Sequence, residues 1–115
     1  MSENLYPSDT RDLAKKRRAL APETEAAFHA FSQKVFADGA LPEQTKHLIA
    51  VAVAHVTQCP YCIRGHTRAA LRTGATPEAL AEAIWVAAEM RAGGAYAHSV
   101  LAMDEIEKAA AAAAP

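Results

Sequence analysis

Leu41-Pro42-Glu43-Gln44-Thr45-Lys46-His47-Leu48-Ile49-Ala50-Val51-Ala52-Val53-Ala54-His55-Val56-Thr57 is the stretch on which the fold turns. A short apolar run can be a buried strand or part of a buried helix, and length, flanks and residue type separate the two. Here Pro42 and Glu43 make a helical start, and the run is long and rich in alanine, so a helix is predicted from Leu41 to about Thr57. Leu48 to Ala54 is apolar on every side of that helix, the mark of a helix buried all round. A chain of 115 residues has one modest core, so other subunits are expected to cover what its own core does not.

Upstream of this helix, Asp9-Thr10 precede a helical stretch from Arg11 to Leu20, whose Lys15-Lys16-Arg17-Arg18 cluster reads as a solvated face. Pro22, with Glu23 and Glu25 behind it, opens a second helix. Its Ala26, Phe28, Phe31, Val35 and Phe36 recur at helical spacing and are expected to face the core, and Asp38-Gly39 ends it. Downstream, Pro60 opens a fourth helix closed by Gly74. Thr76-Pro77-Glu78 then combines a capping hydroxyl, a first-turn proline and an early acid. That fifth helix is expected to run through Leu80, Ile84, Trp85 and Ala87 to Arg91. Gly93-Gly94 should break it, leaving a sixth helix with Tyr96, His98, Val100, Leu101 and Met103. The expectation is an all-α, single-domain bundle of about six helices: a loosely ordered N-terminus over 1–8, a helical domain over 9–108 and an alanine-rich tail over 109–115.

Composition narrows the function. Twelve basic and thirteen acidic residues nearly cancel, which gives no electrostatic reason to bind nucleic acid or an anionic membrane. The N-terminus lacks a basic region followed by an apolar run, and no apolar stretch is long enough to span a bilayer. A cytoplasmic location is expected, where thiols stay reduced and a CxxC reads as redox-active or metal-binding.

Both cysteines of the chain lie in Cys59-Pro60-Tyr61-Cys62-Ile63-Arg64-Gly65-His66. With a helix beginning near Pro60, Cys59, Cys62 and His66 fall on one face. A thiol at a helix N-terminus feels the positive end of the dipole, which lowers its pKa. His66, one turn beyond Cys62, can take its proton or stabilise the thiolate. Nucleophile, base and resolving thiol are the parts of a peroxide-reducing or disulfide-exchanging centre. Zinc is the competing chemistry, with Cys59, Cys62, His66 and either His47 or His55 as ligands. Structural zinc sites usually draw on two separated ligand pairs, and a second pair is lacking, so the redox reading is preferred. His47, Val51 and His55 are four residues apart and Glu43 lies one turn before His47, which suggests a proton relay through His47, His66 and His55 with Glu43 orienting it. Packing roles are the bland alternative for His55 and His98.

Lys46–Ala54, Cys59-Pro60-Tyr61-Cys62, His66-Thr67-Arg68-Ala69-Ala70 and Gly74-Ala75-Thr76-Pro77-Glu78 together resemble the alkylhydroperoxidase D-like, carboxymuconolactone decarboxylase superfamily, over about residues 40 to 105. The resemblance implies an all-helical fold that forms homo-oligomers, commonly trimers or hexamers. Its peroxidase branch has the pattern E-x11-C-x2-C-x3-H. Carried onto this chain, it implies that Cys62 attacks the peroxide, Cys59 resolves the sulfenic acid as a disulfide, and His66 belongs to the relay. Thioredoxin-type logic would place the nucleophile on Cys59 instead. The family glutamate, twelve positions before Cys59, is His47 here.

The expected activity is therefore reduction of organic hydroperoxides by a dithiol centre, with an external dithiol as reductant and with no cofactor or metal. Two rivals stand beside it. One is a decarboxylase acting on a lactone, for which Arg64, Arg68 and Arg72 could supply an anion site. The other is a non-catalytic redox-sensing oligomer.

Overall fold

The computed structural model describes residues 5–115, and among them there are five α-helices and no strand. They are α1 (Arg11–Leu20), α2 (Pro22–Phe36), α3 (Glu43–Thr57), α4 (Pro60–Arg72) and α5 (Pro77–Ala113). The chain divides into two compact units, the first ending at Ala37 and the second running over Asp38–Pro115.

In the first unit, α1 begins where the Arg11 N–H donates to Asp9 Oδ1 at 3.1 Å. One residue, Ala21, separates it from α2, whose first residue is Pro22. Lys16 pairs with Asp12 at 3.3 Å within α1, and Arg17 reaches Glu25 of α2 at 4.0 Å. The expectation that one face of α2 packs into a core is corrected: no residue of α1 or α2 is buried, and Phe28 and Phe31 are largely exposed. Two helices alone cannot enclose an apolar stripe.

The second unit is built around α3, which packs against both α4 and α5. Buried His47, Val51 and Ala54 recur at i, i+4 and i+7, so a single stripe of α3 faces inward. Val51 is fully enclosed and meets Ala70, Ala75 and Leu80, with Leu48 packed beside them. Small residues on α4 let the helices approach closely, a core made by alanine as much as by large side chains. Total burial of α3 is not met within one chain, because Ile49, Val53 and Val56 are each more than two-fifths exposed.

Gly74 ends α4 with φ +99°, a conformation that favours glycine. The Ala75 N–H donates to the Ala70 carbonyl at 2.9 Å and the Gly74 N–H to that of Leu71 at 3.0 Å, the paired bonds of a Schellman stop. Thr76 then caps α5, its Oγ1 accepting from the Ala79 N–H at 3.1 Å. The expected break at Gly93-Gly94 does not occur, and the expected fifth and sixth helices are one helix of 37 residues that continues to Ala113. Two glycines weaken a helix by about 1 kcal/mol each relative to alanine, which thirty-odd other helical residues can outweigh. No helix among the described residues is long and apolar enough to cross a membrane.

Candidate active site: a dithiol beside a two-histidine relay

The junction between α3 and α4 places the first thiol. Gln58 takes a left-handed conformation at φ +59°, and the N–H groups of Gln58 and Cys59 both donate to the Ala54 carbonyl. That reversal delivers Cys59, in extended conformation, as the N-cap of α4. Pro60 follows as the first helical residue, where its missing N–H costs nothing. Cys59 Sγ accepts the Cys62 N–H at 3.2 Å, so sulfur stands where a serine or aspartate oxygen usually caps a helix.

Both cysteines are free thiols, Cys59 half-buried and Cys62 exposed. Hydrogen bonds from the Cys62 side chain, then from the N–H groups of Cys62 and Tyr61, hold Cys59 below the usual thiol range against the opposing effect of burial. Cys62 is pushed up, first because its S–H is committed to Cys59, then by burial and by the negative charge on Cys59. Of the two thiols Cys59 therefore ionises first, its thiolate held by the Cys62 S–H.

His47 is on the buried stripe of α3, and His66 is on α4, one turn beyond Cys62. Their Nδ1 atoms face each other at 3.1 Å, with ring centroids 5.3 Å apart. The other nitrogen of His47, Nε2, lies 3.2 Å from Glu43 Oε1. One tautomer set satisfies both contacts with neutral rings: with the Glu43 carboxylate as acceptor, His47 donates from Nε2 and offers a bare Nδ1. That Nδ1 accepts from His66 Nδ1–H, which leaves the lone pair of His66 on Nε2. Burial first, and then the repulsion that two protonated imidazoles would feel across this contact, hold His66 below the ordinary histidine value. His66 is accordingly neutral near pH 7, as a base must be.

Two residues outside the expected set support the relay. Asp38 Oδ1 accepts the Glu43 N–H at 2.7 Å, capping α3 and fixing the carboxylate bearer. Gln44 Nε2 donates to the Thr73 carbonyl at 2.7 Å, tying the start of α3 to the end of α4. An aspartate shortly before a proline-led helix was a readable sign of the first, whereas the second joins residues 29 apart and left no local sign. Of the expected relay residues, the structure brings Glu43, His47 and His66 together. His55 lies two turns further along α3, with its Nδ1 donating to the Val51 carbonyl at 2.8 Å. Among the described residues no three of the His, Cys, Asp and Glu side chains converge as a metal site. Of the zinc set, His47 and His66 face each other through their Nδ1 atoms.

The second unit is thus all-α and carries a helix-capping thiol, a second thiol one turn on, and a carboxylate–histidine–histidine chain. The carboxymuconolactone decarboxylase family pattern matches residues 22–105, and the chain belongs to that family, within the alkylhydroperoxidase D-like superfamily. It is 55% identical over 112 residues to "uncharacterized protein 4 in cox locus" of Paracoccus denitrificans, covering 95% of this chain and all of the relative. An uncharacterized protein of Cupriavidus necator is 43% identical over 83 residues, covering 70% of this chain and 74% of the relative. Among solved structures, a protein from Methanobacterium thermoautotrophicum superposes with a TM-score of 0.68 at 38% identity, covering 72% of this chain and 93% of the other. A carboxymuconolactone decarboxylase family protein from Legionella pneumophila, in its apo form, gives 0.66 at 34% identity, covering 86% and 91%.

Proposed function

We propose that the protein is a thiol peroxidase that reduces organic hydroperoxides through Cys59 and Cys62. The observation that carries this reading is the unbroken Glu43–His47–His66 chain ending on the helix that bears both reduced thiols. A carboxylate-oriented base beside a thiol serves to generate a thiolate and to return its proton to a leaving group.

Cys62 is the attacking residue in this mechanism. It is the exposed thiol, and its raised pKa makes its thiolate the stronger nucleophile once formed. His66 Nε2 takes the Cys62 proton. Sγ attacks one peroxide oxygen, the O–O bond breaks, and the alkoxide leaves with the proton returned from His66. Cys62 is now a sulfenic acid and the hydroperoxide has become an alcohol. Cys59, already biased to thiolate, attacks Sγ of Cys62, and the departing hydroxide takes a proton to become water. An external dithiol then reduces the Cys59–Cys62 disulfide by exchange and carries away the two electrons' worth of oxidation. These steps call for no bound cofactor.

The working form is a homo-oligomer, trimer or hexamer, in the cytoplasm. Trp85, Tyr96 and Val100 are each more than three-fifths exposed on α5, and Ile49 and Val53 are about half exposed on α3, which supports burial between subunits. Thiol counting by intact mass spectrometry, before and after one equivalent of cumene hydroperoxide, tests the chemistry. The expected result is an intramolecular disulfide in the wild type and a trapped sulfenic acid in Cys59→Ser, with neither in Cys62→Ser. Thiols that survive the peroxide in the wild type would overturn it.

A further inference from the structure

A recess lies at the C-terminal end of α3, against α5. Val56 of α3 and Met90, Arg91, Gly94 and Ala95 of α5 line an open cavity of about 550 Å³. Apart from Arg91, the walls are apolar. Arg91 Nη1 donates to the Val56 carbonyl at 3.5 Å, which holds the guanidinium at the carbonyl end of α3 and leaves its other N–H donors for an anion. Val56 precedes Cys59 by three residues, so their Cα atoms are within about 11 Å by chain length alone.

Gly94 gives the recess its room. It sits inside α5 in ordinary helical conformation, so no positive φ demands glycine there. A Cβ at this position would meet nothing within 4 Å, so packing inside the chain does not demand glycine either. A glycine that weakens its own helix, and whose missing side chain only keeps a cavity wall open, is explained by what enters the cavity.

We propose that this recess is a substrate subsite for hydroperoxides of long-chain carboxylic acids, with the hydrocarbon body along Val56, Met90 and Gly94 and the carboxylate on Arg91. This inference rests on the peroxidase reading above. A flexible chain anchored at Arg91 can then bring a mid-chain hydroperoxide to Cys62 at the mouth of the adjoining helix. An apolar cavity with one fixed cation distinguishes such an acid from its ester and from hydrogen peroxide.

The test compares linoleic acid hydroperoxide, its methyl ester and hydrogen peroxide as oxidants, with dithiothreitol as reductant, on wild type, Arg91→Gln and Gly94→Leu. The wild type should prefer the acid over the ester by about tenfold in kcat/KM, as expected for a charge-assisted bond. Arg91→Gln should abolish that preference. Gly94→Leu should lower the rate for both lipid substrates relative to hydrogen peroxide. Equal use of acid and ester by the wild type, or an acid preference that survives Arg91→Gln, would overturn the proposal. Calorimetric binding of linoleate, which is not a peroxide, separates this subsite from the peroxidase reading. If no oxidant turns over, the peroxidase reading falls, and linoleate binding that requires Arg91 still supports the site. If linoleate does not bind to the wild type, the site is overturned whatever the turnover.

Discussion

His47 Nδ1 and His66 Nδ1 stand 3.1 Å apart across the α3–α4 interface, and only one proton can lie between them. Glu43 decides its owner by holding His47 through Nε2 at 3.2 Å. The carboxylate that the peroxidase pattern places twelve positions before the first cysteine is here set back one turn, to Glu43, with the imidazole of His47 inserted as the link. The insertion leaves the basic lone pair of His66 on Nε2, on the helix that carries Cys62. The arrangement also sets how the site should respond to mutation and to acid.

Replacing His47 by glutamine removes the acceptor that fixes the His66 tautomer. The rate of peroxide-driven thiol oxidation should fall by about 10²-fold, the low end of general-base contributions. Glu43→Gln acts one step further out and should cost about tenfold. Stopped-flow oxidation of each variant at pH 7 checks both numbers, and an unaltered rate in His47→Gln would remove the relay from the mechanism.

Acid should switch the centre off before it unfolds anything else. His66 protonates below its ordinary value of 6.5, because it is partly buried and faces His47. The oxidation rate is therefore expected to be flat near neutrality and to fall at a pH below 6.5. A second proton on the pair makes both facing nitrogens donors and breaks the bond between them. In the folded state His66 resists that proton and in the unfolded chain it does not, so stability should also decline as pH drops from 6.5 through the folded value. In His47→Gln one of the two causes is gone, so the acid limb of the rate should move to higher pH.

Much of this architecture was legible before any coordinates. Pro22, Pro60 and Thr76-Pro77 mark helix starts that the structure uses, because a first-turn proline and a capping hydroxyl act within a few residues of themselves. The four-residue spacing of Glu43 and His47 put them on one face for the same local reason. What depends on distant partners was not legible. Phe28 and Phe31 have the period of a buried face, yet the unit they belong to has nothing to bury them against. His55 shares a helix with His47, but its ring turns back to the Val51 carbonyl. Spacing alone could not weigh that bond against a place in the relay. The proton order of the two thiols was equally hidden, since it comes from Cys59 acting as an N-cap and Cys62 as its donor.

Thiol titration should expose that order. Followed by ultraviolet thiolate absorbance, the wild type should show a first ionisation below the usual thiol range and a second above it. In Cys59→Ser the early step should vanish. The remaining Cys62 should titrate at lower pH than the second wild-type step, because the hydrogen bond to the Cys59 sulfur that chiefly raised it is gone, and the negative charge with it. Two independent ionisations at ordinary thiol values would show that the pair is not coupled.

The turn that delivers Cys59 stores a small strain. Gln58 is the one described non-glycine residue with positive φ, a conformation that costs a side-chain-bearing residue about 1 kcal/mol. Gln58→Gly should stabilise the folded chain by up to that amount, less the extra entropy glycine gives to the unfolded state. Gln58→Val, branched at Cβ, should destabilise it. Urea unfolding midpoints of the two variants should therefore bracket the wild type. Peroxide reactivity should fall in Gln58→Val if the turn sets the position of the sulfur.

The continuity of α5 through Gly93-Gly94 makes a prediction opposite in sign to that of a helix break. At a break, glycine is favoured by its backbone freedom, and alanine would strain the turn or leave stability unmoved. Inside a helix, alanine is the better residue by about 1 kcal/mol. Neither glycine has a positive φ, and a Cβ at Gly94 meets no atom within 4 Å, whereas one at Gly93 meets only the movable carboxylate of Glu89 at 3.3 Å. Gly94→Ala should thus raise the denaturation midpoint cleanly, and Gly93→Ala should raise it by less, since Glu89 must shift. Because alanine is small, Gly94→Ala should gain this stability with only a slight loss of activity toward bulky hydroperoxides, whereas Gly94→Leu should lose far more. A denaturant series on the alanine variants, paired with kinetics on all three, separates the demand of the helix from that of the cavity: stability that rises while bulky-substrate activity falls with side-chain size would mean that the glycine serves the recess and not the fold.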